Sequence, residues 1–244
     1  MAGHSHFKSI KYKKEIEDTK RARIFSKLSR LIAITAREKG GNPETNPALR
    51  MAIERAKAFN MPQENIERAI KRGTGALEEG MKLENLVLEG IAPNGVAIVM
   101  EAVTDNRNRT LAEIRHLLER GGGKLASGGV LWMFKKKGCI TIDPKQQSQD
   151  LKKEDLELIA IESGAEDIKW TQGLLEVYTP PEQLEEVKEN LEKRNIKIEE
   201  VSLDWVPKEE VEIKDQESKQ KIMNLFEALD EHPDIQEIYS NLKM

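Results

Sequence analysis

Residues 138–206 read GCITIDPKQQSQDLKKEDLELIAIESGAEDIKWTQGLLEVYTPPEQLEEVKENLEKRNIKIEEVSLDWV, and their alternation of textures decides much of the fold. Short runs rich in β-branched and aromatic residues, Cys139–Ile142, Ala165–Trp170, Leu174–Tyr178 and Ile196–Val206, predict strands. The stretches Leu151–Ser163 and Pro181–Arg194 space their apolar residues as helices do. The order strand, helix, strand, strand, helix, strand is the βαββαβ signature of a ferredoxin-like sheet.

Upstream, the apolar runs Leu86–Ile91 and Val96–Val103 flank Ala92-Pro93-Asn94-Gly95, a hairpin signal. Arg107–Arg120 predicts a helix with Leu111, Ile114, Leu117 and Leu118 on one face, and Val130–Lys136 a strand ending in a lysine triplet. Downstream, residues 207–244 offer one helix, Gln216–Leu229, and two short strands, Val211–Ile213 and Ile235–Tyr239. That is too little to bury a core alone, so this segment is expected to rejoin the sheet begun near residue 83.

The first part of the chain is helical in pattern. Asp18–Lys39 predicts a helix stopped by Gly40-Gly41, with Ile24, Leu28, Leu31 and Ile32 sharing a face with Phe25. Pro47–Asn60 follows, with Asn46 as N-cap and Pro47 at the first helical position. A third helix spans Pro62–Gly73, and Gly73-Thr74-Gly75 reads as a linker. The expected fold class is multidomain α and β: an N-terminal three-helix domain followed by two α+β domains, one ferredoxin-like and inserted into the other. The expected boundaries are 1–78, 79–137 with 207–244, and 138–206.

Charge is divided unevenly. The formal net charge is −4. Residues 1–78 hold 17 Lys and Arg against 9 Asp and Glu, net +8, whereas residues 148–244 hold 12 against 26, net −14. One end is thus suited to a polyanion and the other to solvent or to protein partners. Between Lys8 and Arg30 nine cations (Lys8, Lys11, Lys13, Lys14, Lys20, Arg21, Arg23, Lys27 and Arg30) face three acids (Glu15, Glu17 and Asp18). A basic arm followed by a basic helix stripe suits phosphate contacts, because each neutralised phosphate releases condensed counterions. Phe7 and Tyr12 among the lysines can stack on unpaired bases. A solvated helix face would carry the same charges.

Thr104-Asp105-Asn106-Arg107-Asn108-Arg109-Thr110 lies between a strand and a helix. Thr104 or Asp105 is expected to cap the helix, with the Asn residues shaping the turn. Asn106, Arg107, Asn108 and Arg109 also make a candidate anion or partner contact, assisted by the helix dipole. Gly121-Gly122-Gly123 and Gly128-Gly129 follow a helix instead of preceding one, the wrong order for a phosphate-binding loop.

Several motifs, taken together, resemble one family: the opening MAGHS, Lys20-Arg21 with Ile24-Phe25-Ser26-Lys27-Leu28, Asn46-Pro47-Ala48-Leu49-Arg50, and Asn60 through Ile70. Gly73-Thr74-Gly75, Thr104–Thr110 and Trp132-Met133-Phe134 complete the set. The chain resembles the YebC/PmpR family of probable transcriptional regulators, related to a mitochondrial translational activator. The resemblance covers the whole chain and is dense over residues 1–134. His6 and Phe7 stand where that family commonly has Lys and Trp, which keeps a basic or aromatic character. It implies three domains in the cytoplasm, DNA binding and transcriptional regulation in some members, and ribosome association with help over proline runs in others. It implies no cofactor and no metal.

The residues exclude other classes. Cys139 is the single cysteine, so an intrachain disulfide is impossible and a cysteine-rich metal site is excluded. The histidines, His4, His6, His116 and His232, show no ligand spacing. There is no HExxH, no G-x-S-x-G, and no apolar run long enough to span a bilayer. The expectation is a cytosolic, non-enzymatic regulator of gene expression that binds DNA or RNA, with the ribosome as the alternative partner.

Overall fold

The computed structural model describes residues 18–75, 83–148 and 151–243. Three helices come first: α1 (Asp18–Lys39), α2 (Pro47–Ala58) and α3 (Gln63–Gly73). Asn46 caps α2 by accepting a hydrogen bond from the Leu49 amide at 3.1 Å, and its own amide donates to the Thr35 and Gly40 carbonyls of the preceding turn. Ile24, Leu28, Ile32 and Ala36 of α1 bury against Leu49, Ala52 and Ala56 of α2 and Ile66 and Ala69 of α3. Gly73 ends α3 directly against α1, where a Cβ would overlap the Ala33 carbonyl oxygen. It is therefore a packing residue as much as a helix terminator, and Gly75, at φ +76°, makes the turn that follows.

The chain divides into two compact units, residues 134–206 and the remainder. The remainder contains the helices and an α+β layer built from β1 (Glu84–Ile91), β2 (Ala97–Thr104), α4 (Arg107–Arg120), β3 (Lys124–Ala126), β8 (Val211–Glu212), α7 (Gln216–Asp230), β9 (Ile235–Ser240) and β10 (Leu242–Lys243). Its main sheet has the order β3-β1-β2-β9, with β1 and β2 forming the expected hairpin and β9 antiparallel to β2. Residues 207–244 thus return to the sheet, as their scarcity of elements demands. One sheet face packs on α4 and α7, with Leu88, Ile98, Met100, Ile114, Leu118, Ile222 and Phe226 in its core. On the other, Leu83 and Val103 meet Ala33 and Ile34 of α1. Ile34, which lies between Arg30 and Arg37 in the sequence, and Ala33 beside it dock the helical layer onto the sheet.

Unit 134–206 holds β4 (Phe134–Ile142), α5 (Lys153–Glu162), β5 (Asp167–Thr171), β6 (Leu174–Thr179), α6 (Leu184–Lys193) and β7 (Glu200–Pro207). Its order β5-β6-β4-β7 is that of the ferredoxin-like sheet. Ile140, Ile142, Leu156, Leu175, Val177 and Leu191 are fully or almost fully buried in it. Glu176 on β6 is also buried and accepts hydrogen bonds from Tyr178 at 2.9 Å and Thr171 at 3.2 Å. Burial and the neighbouring acid push the Tyr178 hydroxyl far above the ordinary tyrosine range.

The expected strand over Val130–Lys136 is the main departure. Leu131–Met133 is a 3₁₀ turn, and the strand begins at Phe134 and runs unbroken to Ile142. The cause is Glu89, whose Oε2 accepts from the amides of Val130 at 2.6 Å and Leu131 at 2.7 Å. A carboxylate on two successive amides fixes a turn in a run whose apolar composition suits a strand.

Candidate nucleic-acid interface

Lys8, Lys11, Lys13 and Lys14, with Phe7 and Tyr12, lie outside the described residues, and Lys20 is described only as part of α1. Arg21 is exposed. The remaining cations of the α1 stripe are placed differently from the expectation. Lys27 is only 3% exposed and pairs with Asp230 Oδ1 at 3.2 Å. Burial pushes its ammonium below the ordinary lysine value, while Asp230 pulls the other way. Arg30 bonds Asp234 and the Pro233 carbonyl, and Arg23 reaches Glu231 at 3.0 Å. From α2, Arg55 pairs with Glu237. Lys27 is therefore withdrawn from the phosphate-binding set, and Arg23 and Arg30 are engaged in docking. The reason is topological: the segment 230–237, after α7 and along β9, brings four acids under the helical layer.

Asp234 is the hub of this contact. Its carboxylate takes Arg30 on Oδ1, and Arg109 at 2.9 Å and Thr110 at 2.6 Å on Oδ2, while its main-chain oxygen accepts from the Val103 amide at 2.8 Å. Burial alone would raise its pKa, but the bonds from Thr110 and Arg109 and the charge of Arg30 outweigh that and hold the carboxyl below the usual range. In return Asp234 raises the Arg109 guanidinium.

The Asn106–Arg109 cluster resolves accordingly. The N-cap of α4 is Asn106, not Thr104 or Asp105: its side chain accepts from the Arg109 amide at 3.1 Å, while Thr104 Oγ1 accepts from the Asn106 amide at 2.9 Å. Arg109 turns onto Asp105 and Asp234, Arg107 lies 3.9 Å from Glu84, and Asn108 is exposed. Arg109 thus braces the junction between layers through Asp234, while all four residues of the cluster remain exposed.

Sequence spacing missed one polar cluster entirely, because 119 residues separate two of its members, Glu113 and His232. His232 Nδ1 accepts from the Asp234 amide at 3.2 Å, so in the neutral ring Nε2 carries the hydrogen and donates to Glu113 Oε2 at 2.9 Å. Glu113, His232 and Asp234 bring their ligand-type atoms within 4.8 Å of one another. With Arg30 and Arg109 already against Asp234, the local field opposes a cation, and the geometry fits a network bracing α4 and β9.

Apart from Arg37, which falls on the basic stripe of the first helix, sequence reasoning did not single out the cations left over. Arg37 and Lys39 in the last turn of α1, Lys57 on α2, and Arg68 and Lys71 on α3 are exposed, with no ion pair among the described residues. The ends of α1 and α3 meet, since a Cβ at Gly41 would touch Thr74 and Ile70. Cations in last turns complement the helix dipole, and where the C-terminal ends of α1 and α3 meet, Arg37, Lys39 and Lys71 also add to a positive surface. Among the described residues no helix is long and apolar enough to cross a membrane.

A helical layer joined to an antiparallel sheet, with a ferredoxin-like unit interrupting the sheet-bearing chain, defines a class of multidomain α and β protein. The chain belongs to the TACO1/YebC family: residues 5–76 match its N-terminal domain and residues 83–242 its second and third domains. A relative from Halothermothrix orenii, called a probable transcriptional regulatory protein, is 50% identical over 99% of this chain and 94% of its own length. An Aquifex aeolicus protein of the same description is 49% identical, over 100% of this chain and 96% of its own. The crystal structure of a conserved hypothetical protein from Aquifex aeolicus superposes with a TM-score of 0.87 at 48% identity, covering 96% of this chain and 95% of that one.

Proposed function

We propose that this protein is a nucleic-acid-binding regulator of gene expression, acting on transcription through DNA phosphate contacts made by its basic N-terminal part. The observation that carries this reading is the division of labour among the cations of residues 18–75. Arg23, Lys27, Arg30 and Arg55 are held by acids of 230–237, while Arg37, Lys39, Lys57, Arg68 and Lys71 stay unpaired among the described residues and exposed. The proposed contact set is therefore Lys8, Lys11, Lys13, Lys14, Lys20 and Arg21 extended by those five, with Arg23, Lys27 and Arg30 as supports. The name carried by the relatives supports it. Binding in this reading follows shape and charge, with phosphate contacts positioning the protein. The acidic part beyond residue 148 is left for protein partners.

A second reading, a ribosome-associated translation factor contacting RNA, is favoured by one observation: Trp132 is 68% exposed, which suits unpaired bases. Affinity for duplex DNA and for structured RNA, each measured between low and moderate salt, tests both. Steep loss of affinity with salt is expected, with preference for duplex DNA under the first reading and for RNA under the second. A flat salt response on both ligands overturns the phosphate-contact proposal.

A further inference from the structure

Trp132 is an anomaly. Aromatic residues make up 5% of the chain, and this one, of three tryptophans, stands 68% exposed on a loop that is itself tightly held. Glu89 fixes the amides of Val130 and Leu131, and the Met133 carbonyl accepts from the Lys208 amide at 2.8 Å. The indole Nε1 donates to the Gly129 carbonyl at 2.9 Å. The ring is thus locked in place with its only polar group used internally, leaving nothing but its π faces to offer. The Lys208 ammonium stands over the ring, 5.9 Å from its centre. Val87, 47% exposed, lies two residues from Glu89 on the same face of β1. Gly128 and Gly129, both at positive φ, have open space where a Cβ would project.

We infer that Trp132 is a stacking platform for an unpaired nucleobase, with Lys208 placed for the adjoining phosphate. The inference rests on the nucleic-acid reading above and deepens it by naming single-stranded nucleic acid as the ligand of this loop. An aromatic that docks a protein partner commonly brings its N–H to the interface as well; this one cannot. A pre-oriented flat face beside a cation, with the nearby Glu89 carboxylate turned onto main-chain amides, matches instead what a base and its phosphate require.

The test compares the full chain with Trp132→Ala and Trp132→Phe against two strands of equal length and charge, oligothymidylate and an abasic oligonucleotide. Base–aromatic stacking predicts that Trp132→Ala weakens oligothymidylate binding by about ten- to a hundredfold and leaves abasic binding unchanged. Trp132→Phe retains much of the affinity while abolishing the part of the fluorescence quenching that Trp132 provides. Equal affinity of wild type and Trp132→Ala for oligothymidylate overturns the platform and leaves the phosphate reading standing, as does an equal loss on both strands. If the wild type binds neither strand nor duplex at low salt, both inferences fall.

Discussion

Two sets of cations on the same helical layer meet opposite fates. Arg23, Lys27 and Arg30 lie along the middle of α1 and are matched, one by one, by Glu231, Asp230 and Asp234. Arg37 and Lys39 at the end of α1, Lys71 at the end of α3 and Arg68 in the middle of α3 form no ion pair among the described residues. In sequence the two sets look alike. What separates them is whether a distant acidic segment folds back beneath them, so a charge run becomes a docking face or a binding face through tertiary structure alone.

The largest effect that tests this contrast is expected from Asp234→Ala. It removes one buried acid serving Arg30, Arg109 and Thr110, and should cost about 3–5 kcal/mol of unfolding free energy. Chemical denaturation with an unchanged m-value would show it; a change below about 1 kcal/mol would remove Asp234 from the centre of the junction. Gly73→Ala comes next, because the new methyl has to displace the α1 backbone at Ala33; overpacking costs about 1–3 kcal/mol, read as a fall in Tm. Lys27→Met keeps the buried stem, removes the charge and leaves Asp230 without its ammonium, for about 1–2 kcal/mol in the same assay.

Of the two faces, the docking one should respond to acid. Because the folded Asp234 carboxyl titrates below its unfolded value, its contribution is complete above the ordinary carboxylate pKa of about 4 and is lost as pH falls through the lower folded value. The stability gap between wild type and Asp234→Asn should therefore be constant from neutrality to about pH 5 and shrink below about pH 4. Growth of that gap in acid would reverse the assignment. The smallest stability effect belongs to the binding face. Arg68→Ala with Lys71→Ala should change unfolding by less than about 0.5 kcal/mol. The same pair should also lower nucleic-acid affinity and flatten the salt slope by about one for each phosphate no longer neutralised.

The elements most legible in the sequence are those with a long periodic face. Arg107–Arg120 has the expected bounds because Leu111, Ile114, Leu117 and Leu118 mark one side and Asn106 caps it. α1 likewise occupies Asp18–Lys39, and the βαββαβ order is plain from alternating textures. β3, only Lys124–Ala126, is too short to carry a period and is recruited by pairing with β1. Leu131–Met133 is misleading because apolar composition favours a strand where a remote carboxylate holds a turn. The site is less readable still. Lys27 and Asp230 are 203 residues apart, and no local pattern announces that one will bury the other's charge. The sequence shows that cations are abundant; which of them remain on offer is decided by the acids of segment 230–237.

That arrangement has an order in time. A growing chain exposes α1 and α2 long before residues 230–237 exist, and N-terminal elements generally form first during synthesis. Until the last strand of the sheet arrives, Arg23, Lys27, Arg30 and Arg55 are an unneutralised basic surface emerging beside RNA. A chain interrupted within the 134–206 insertion would keep that surface permanently, and should adhere to polyanions less selectively than the finished protein. The late acids act, in effect, as a built-in chaperone for the early bases.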